Sequence, residues 1–315
     1  MSVGLVGAGN ISGTHARAAA AAGLTIAGVW GGNPDKSHAL AERHGTAVFP
    51  TLEALLAHPP VSWVMIGSPS GLHAGHAAAA ARAGKHVLVE KPLDIATSRI
   101  DRLIDEVDRA GVTLGVFFQD RLKPAILDIK QRIDAGEIGT PLLATGEVTW
   151  FRPREYYSSS RWRGTWALDG GGALMNQGIH TVDLMLYLLG PVTRVTGVIA
   201  TRYHAIEAED TATALLEFAN GAQGTIDATT AAAPGSPRRV RITGTAGSLL
   251  FEDAATTAVV ADVENHQRIV EDFVAAIREG RRPACDARDG RRSVAVVEAV
   301  YRSARERRPV DLANP

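Results

Sequence analysis

The stretch "SVGLVGAGNISGTHARAAAAAG" (2–23) decides the fold: a short apolar strand, a glycine turn and an alanine-rich helix follow one another in that order. Gly7 and Gly9 fill the first two positions of G-x-G-x-x-G, where they allow a tight turn and the close approach of a pyrophosphate to the first amides of the following helix. Ser12 stands at the third position, which mainly sets the packing of helix against strand. Alone, such a turn also fits a purely structural role, so the segments around it carry the decision.

Outward from that turn, "LTIAGVW" (24–30) reads as a second strand, Lys36 to His44 as a helix, and "SWVMIGSPS" (62–70), "KHVLVEKP" (85–92) and "VTLGVFFQDR" (112–121) as further strands. Strands separated by helices of this length imply parallel βαβ units, whose ligands sit at the carboxyl ends of the strands. Gly31, Gly32 and Asn33, then Ser68 and Pro69, Glu90 and Lys91, and Gln119 all fall at such ends, and a nicotinamide or flavin dinucleotide is the expected occupant. The second strand ends Trp30-Gly31-Gly32-Asn33, with neither an acid for a ribose 2′-hydroxyl nor an arginine for a 2′-phosphate. NAD and NADP both stay open, with a lean toward NADP if Lys36 or Arg43 reaches back.

The whole chain, 315 residues with 45% hydrophobic and 5% aromatic residues, is long enough for about two domains. Thirty-three basic and 34 acidic residues give a formal charge of −1, which leaves no basic excess for nucleic acid. Cys285 is the only cysteine, so no intramolecular disulfide can form and thiolate-rich metal sites are ruled out. His73 and His76 lie three apart without an accompanying carboxylate or cysteine, and no metal site is expected there. No apolar run approaches a membrane span, and Met1 leads straight into a strand-like segment without a cationic signal start, so a cytoplasmic protein is expected.

The second half turns on "GGGALMNQGIHTVD" (170–183). At helical spacing Met175, Ile179, Val182, Leu186 and Leu189 form one apolar stripe, and Asn176, His180, Asp183 and Tyr187 form a second, polar one. Three glycines before this helix let some other group approach its start closely. "LLATGEVTWF" (142–151), "TRVTGVIATRYH" (193–204), "DTATALLEFANGAQGTIDATT" (210–230) and "RRVRITGTAGSLLFED" (238–253) read as strands, with Asn220-Gly221 as a hairpin turn, and segments 264–280 and 291–306 read as helices. A boundary near Asp120 gives domains of 1–120 and 121–315. Tyr156, Tyr157, Trp162 and Arg163 fall on an expected loop, where rings and a guanidinium suit a sugar.

The glycine turn "GAGNISGTH", "GSPSGLHAGHAAAAARAGKHVLVEKP" and the helix motif together resemble the Gfo/Idh/MocA family over nearly the whole chain. The resemblance implies a Rossmann domain followed by an α/β domain with an open-faced, mostly antiparallel sheet. It also implies NAD(P)-dependent oxidation or reduction of a secondary alcohol or ketone on a sugar, nucleotide sugar or cyclitol. By the same carry-over Asn10 and Ile11 in the glycine turn, with His73, join the residues expected at the cofactor. The family lysine of E-K-P matches Lys91. Its D-x-x-x-H-x-x-D matches Asn176, His180 and Asp183, with an amide in place of the first carboxylate.

An amide exchanges no proton at neutral pH, so acid/base work falls to Lys91 and His180, while Asn176, Asp183, Tyr156, Trp162 and Arg163 are expected at the substrate. Asn176 with "YY" (156–157) and "WRGTW" (162–166) looks like the branch of nucleotide-sugar 3-dehydrogenases. Two alternatives are a redox-assisted glycosidase that retains its cofactor and a non-catalytic dinucleotide sensor. A homodimer or homotetramer assembled through the second-domain sheet is expected.

Overall fold

Strand β1 (Ser2–Val6) lies at the centre of a parallel sheet with β2 (Thr25–Trp30), β3 (Val61–Ile66), β4 (His86–Val89) and β5 (Leu114–Val116), in the order β2-β1-β3-β4-β5. The chain therefore leaves β1 toward one edge for β2 and toward the other for β3, and this reversal is where a doubly wound sheet opens a crevice. Helices α1 (Asn10–Ala21), α2 (Pro34–Arg43), α3 (Leu52–Ala57), α4 (His73–Arg82) and α5 (Thr97–Ala110) make the crossovers. With helices over it the sheet reads as continuous apolar runs, and Trp63, Val64, Met65 and Ile66 are all buried. The fifth strand is shorter than expected, because residues 119–122 leave it as a tight 3₁₀ turn.

The computed structural model describes residues 1–253 and 262–312, which divide into two units. The first comprises Met1–Asp94, Ser98–Gln119 and Val260–Gly290, and the second Ile95–Thr97, Asp120–Val259 and Arg291–Pro315. The expected division at residue 120 thus needs one correction: α9 (Val263–Glu279) returns to the Rossmann unit. Phe273 explains it. Its fully buried ring lies 5.4 Å from that of Trp63, and a Cβ on Gly115 of β5 would come within 2.9 Å of it, so the glycine makes the socket that the returning helix fills.

In the second unit β6 (Pro141–Thr149), β7 (Val192–Ala200), β8 (Thr211–Phe218), β9 (Gln223–Thr229), β10 (Arg238–Gly244), β11 (Ser248–Asp253) and β12 (Val310–Asp311) form a seven-stranded sheet, ordered β11-β10-β6-β9-β8-β7-β12. Among the described residues β6 and β9 run parallel and the other neighbours antiparallel. Asn220-Gly221 makes the β8–β9 hairpin, with Gly221 at φ +88°. The unit also holds α6 (Pro124–Asp134), the short α7 (Arg154–Ser158), α8 (Ile179–Leu189) and most of α10 (Ala287–Glu306). One sheet face receives α8 and α10 closely: a Cβ on Gly146 would lie 2.7 Å from Thr181, and one on Gly197 2.7 Å from Val300. The opposite face alternates in the usual half-buried manner, leaving Leu143, Val198, Leu215 and Leu250 exposed.

Candidate active site

In the Rossmann unit the expected groups gather at the strand ends. The amide of Gly7 donates to Trp30 O (2.7 Å), that of Gly67 to Val6 O (2.8 Å) and that of Glu90 to Ile66 O (2.8 Å), so the last turns of four strands stand side by side. Gly7 has φ +110° and would drive a Cβ into the Gly67 carbonyl group, 2.7 Å away. Gly9 is different. It is the N-cap of α1, brings no side-chain cap, and its Cβ direction opens on space. The first amides of a twelve-residue helix, including those of Asn10 and Ile11, thus face a cradle that a side chain would fill. These residues fit a dinucleotide pyrophosphate.

Other expected cofactor residues are spent on the fold. Asn33 caps α2 by accepting from the Lys36 amide at 3.0 Å. Gly31 is tight, since a Cβ there would lie 3.0 Å from the Ala8 nitrogen, whereas Gly32 is open. Buried His73 places Nδ1 2.7 Å from Pro92 O and Nε2 2.8 Å from Ser68 O, bridging the turns after β3 and β4. Carbonyls only accept, so satisfying both requires the imidazolium, while burial pushes the ring toward its neutral form. Ser68 Oγ lies 2.9 Å from His76 Nδ1, and burial lowers the His76 pKa to about 4.

Glu90 is buried and directed inward. Its Oε1 lies 2.9 Å from His15 Nε2 and 3.3 Å from His266 Nε2, and its Oε2 accepts from the Lys91 amide at 3.1 Å. Burial works against the ionised carboxyl, yet hydrogen bonds from His15 and His266 hold it well below the usual range. This trio also has the donor types of a metal site. The His266 Nδ1 faces the Asp262 carbonyl at 2.8 Å and must carry a proton. Glu90 thus acts as a brace behind the turn bearing Lys91. Neither histidine carried a sequence signal, since both sit on ordinary helix faces. Gln119 ends the second segment of this unit, with its buried Oε1 lacking a partner among the described residues.

In the second unit a directed chain of hydrogen bonds runs from a cation to an anion. Arg152 Nη2 donates to Gln177 Oε1 (3.0 Å), Gln177 Nε2 to Asn176 Oδ1 (2.9 Å), and Asn176 Nδ2 to Asp169 Oδ1 (2.7 Å). Gln177 Nε2 also donates to the Tyr156 hydroxyl at 2.9 Å. Each link pairs a donor with an acceptor, and this fixes which way the Asn176 amide points. Arg163 lies over the Tyr156 ring at 4.3 Å and near Trp162 at 5.5 Å, while Arg152 lies 5.5 Å from the same Tyr156 ring and 5.0 Å from Trp150. Two guanidiniums therefore flank one tyrosine, whose expected loop is the short helix α7.

His180 lies in the first turn of α8 with its Nδ1 3.7 Å from Asp120 Oδ2. That carboxylate is itself held by Arg238 Nη1 (2.6 Å) and Lys123 Nζ (3.0 Å), and against its burial Arg238, His180 and Lys123 keep it far below the usual carboxylate range. Asp183, expected at the substrate, is buried in a two-pronged pair with Arg121 at 2.8 and 2.6 Å, with Ser293 Oγ 3.2 Å away. The carboxylate facing His180 is Asp120, which sequence spacing missed because it lies 60 residues upstream. Residues 173–178 form a π-helical turn, so the α-helical wheel loses phase between Asn176 and Asp183.

A parallel sheet that opens its crevice at a glycine-capped helix, joined to a sheet domain presenting an amide, an imidazole and guanidiniums, defines a two-domain NAD-binding oxidoreductase. Three family models agree: residues 1–118 match the NAD-binding Rossmann fold of the oxidoreductase family, 126–250 a GFO/IDH/MocA C-terminal domain, and 255–312 the family's C-terminal alpha/beta domain. The chain belongs to the Gfo/Idh/MocA family. The structure of the WlbA dehydrogenase from Bordetella pertussis, in complex with NADH and UDP-GlcNAcA, is 34% identical with a TM-score of 0.93, covering 100% of this chain and 99% of that one. The structure of a levoglucosan dehydrogenase in complex with NADH is 25% identical with a TM-score of 0.92, covering 100% of both chains. The inositol 2-dehydrogenase of Rhizobium meliloti (strain 1021) is 27% identical over 98% of both chains. The protein is an oxidoreductase that moves a hydride between a nicotinamide dinucleotide and a secondary alcohol or ketone of a sugar or cyclitol. These relatives lend no support to a cofactor-retaining glycosidase or a non-catalytic sensor.

Proposed function

We propose that the protein uses NAD(H) to oxidise a ring hydroxyl of a nucleotide-linked, negatively charged sugar. The observation that carries this reading is the pair Arg152 and Arg163 around Tyr156, continuous through Gln177 with Asn176. Guanidiniums on aromatic faces suit a carboxylate or pyrophosphate, whereas a neutral cyclitol needs no such charge. Likeness to a structure holding NADH and UDP-GlcNAcA supports both the sugar class and NAD over the NADP suggested by the bare β2 end. When bound, the nicotinamide supplies or removes the hydride. Lys91 then stabilises the forming alkoxide, His180 exchanges the hydroxyl proton, and Asn176, fixed by Asp169, orients the ring. A cytoplasmic location and a homo-oligomer built on the second sheet belong to the same proposal.

The deciding experiment is formation of the reduced nicotinamide, from NAD and from NADP, on UDP-N-acetylglucosaminuronate, UDP-N-acetylglucosamine and myo-inositol. The expected order places the charged nucleotide sugar first and NAD ahead of NADP, with kcat falling by about 10² or more in Lys91→Ala and in His180→Ala while NADH affinity is kept. Turnover of myo-inositol with none on either nucleotide sugar overturns the substrate class.

A further inference from the structure

An α-helical or π-helical start leaves its first amides without partners inside the helix, and they must be satisfied elsewhere. In the turn carrying Asn176 and Gln177 and leading to His180, all four are met from one distant place. Gly172 N donates to Glu209 Oε2 (2.9 Å), Ala173 N to Glu209 O (3.0 Å), Leu174 N to Glu209 Oε1 (2.8 Å) and Met175 N to the Tyr301 hydroxyl (3.2 Å). Tyr301 in turn donates to Glu209 Oε1 at 2.9 Å. Both side chains are buried. Any Cβ on Gly171 would overlap the Tyr301 hydroxyl, and any on Gly172 would overlap the Glu209 carbonyl. The group that needs Gly171 and Gly172 is thus the protein's own cap, while Gly170, at φ +76°, makes room for Ile95.

We propose that Glu209, acting through this cap together with Tyr301, is a positioning residue whose ionised form holds Asn176 and His180 in working register and whose protonation loosens the helix start. With the carboxylate ionised, every group around it donates, and the helix N-terminus favours the negative charge. A proton on either oxygen sets a donor against donors and costs the cap one bond. Burial nevertheless pushes the Glu209 carboxyl up to about 7, the Leu174 amide, the Tyr301 hydroxyl and the Gly172 amide only partly offsetting it. The titratable groups facing it are Tyr301 from α10 and Tyr157 from α7, with Asp169 acting on both. Burial and Glu209 hold Tyr301 far above the usual phenol range, so it stays a donor.

The sign of the linkage gives a signature that a plain structural role lacks. Because the folded pKa of about 7 lies above the ordinary 4.5, this group's stabilising contribution is complete below about 4.5 and is lost as pH rises through about 7. Global stability should therefore fall from pH 6 to pH 8 while local protection of the helix start rises. Hydrogen exchange, corrected for intrinsic rate, on peptides covering 172–178 is expected to show several-fold greater protection at pH 8 than at pH 6. Over the same range Tm should decline, and Glu209→Gln should flatten both trends. Tyr301→Phe removes a donor, so the protection midpoint should move upward by up to a unit.

Equal protection of wild type at pH 6 and pH 8 overturns the proposal without any variant needing to fold. Kinetics add a second arm, which alone rests on the substrate proposed above: in Tyr301→Phe the acid limb of kcat should shift upward with KM unchanged. An unmoved limb also overturns it, whereas failure of the substrate reading leaves the exchange result intact.

Discussion

At Asn176 the protein carries an amide where its family motif has a carboxylate, and the neighbour explains why. Asp169 lies 2.7 Å from the amide nitrogen and Gln177 donates to the amide oxygen, so the site already holds one anion in fixed position. Asn176→Asp would set two carboxylates in contact, and one of them would have its pKa raised. Its folded value would then exceed its unfolded one, so stability would be retained at low pH and lost as pH rises through that folded value. The variant should match the wild-type Tm near pH 5 and fall progressively below it toward pH 8, with a drop in kcat of about tenfold or more at neutral pH. A variant whose Tm tracks wild type across that range would show the Asp169 contact to be without electrostatic weight. From the sequence, His180, Lys91 and Asn176 could be proposed for the site, because the family motifs they match carry them. The sequence did not show Asp120, Asp169 or Glu209, because each acts from a loop or turn where no periodicity applies.

Among the elements, the alternating strands and helices of the first 120 residues were legible because each βαβ unit is local. The second sheet was legible strand by strand from its period of two. Neither rule says which sheet a later helix will cover. Helix α9 has a clear apolar stripe, Ile269, Val270, Phe273 and Val274, all buried, but the stripe alone does not name its partner. Gly115 carries that information instead, as it vacates the volume that the Phe273 ring fills. Phe273→Ala should therefore destabilise the Rossmann unit by about 3–5 kcal/mol, the cost of a large cavity against Trp63 and β5. Thermal denaturation followed with and without NADH reads it: apparent stability falls in both, and the stabilisation on adding saturating NADH is largely kept. Loss below about 1 kcal/mol would mean that α9 closes over the gap.

For the molecule as a whole, the open face of the second sheet is the feature that the described chain leaves uncovered. Along one row the paired strands present Leu250, Arg241, Thr145, Thr225, Leu215 and Thr196, and a neighbouring row presents Glu252, Arg239, Glu147, Asp227, Thr213 and Val198. Val198 is 68% exposed and Leu215 57%. Apolar residues interleaved with opposite charges suit an isologous pairing, in which each Arg239 or Arg241 of one copy can meet an acid of the other about a two-fold axis. A second copy of the chain is therefore the proposed cover. Light scattering at micromolar concentration should report a dimer or tetramer. Replacing both Val198 and Leu215 by Lys should shift it toward monomer by placing like charges across the axis, with far-ultraviolet circular dichroism unchanged because both side chains point away from α8 and α10. A wild-type monomer at that concentration, or an unaltered assembly in the double variant, would place the interface elsewhere.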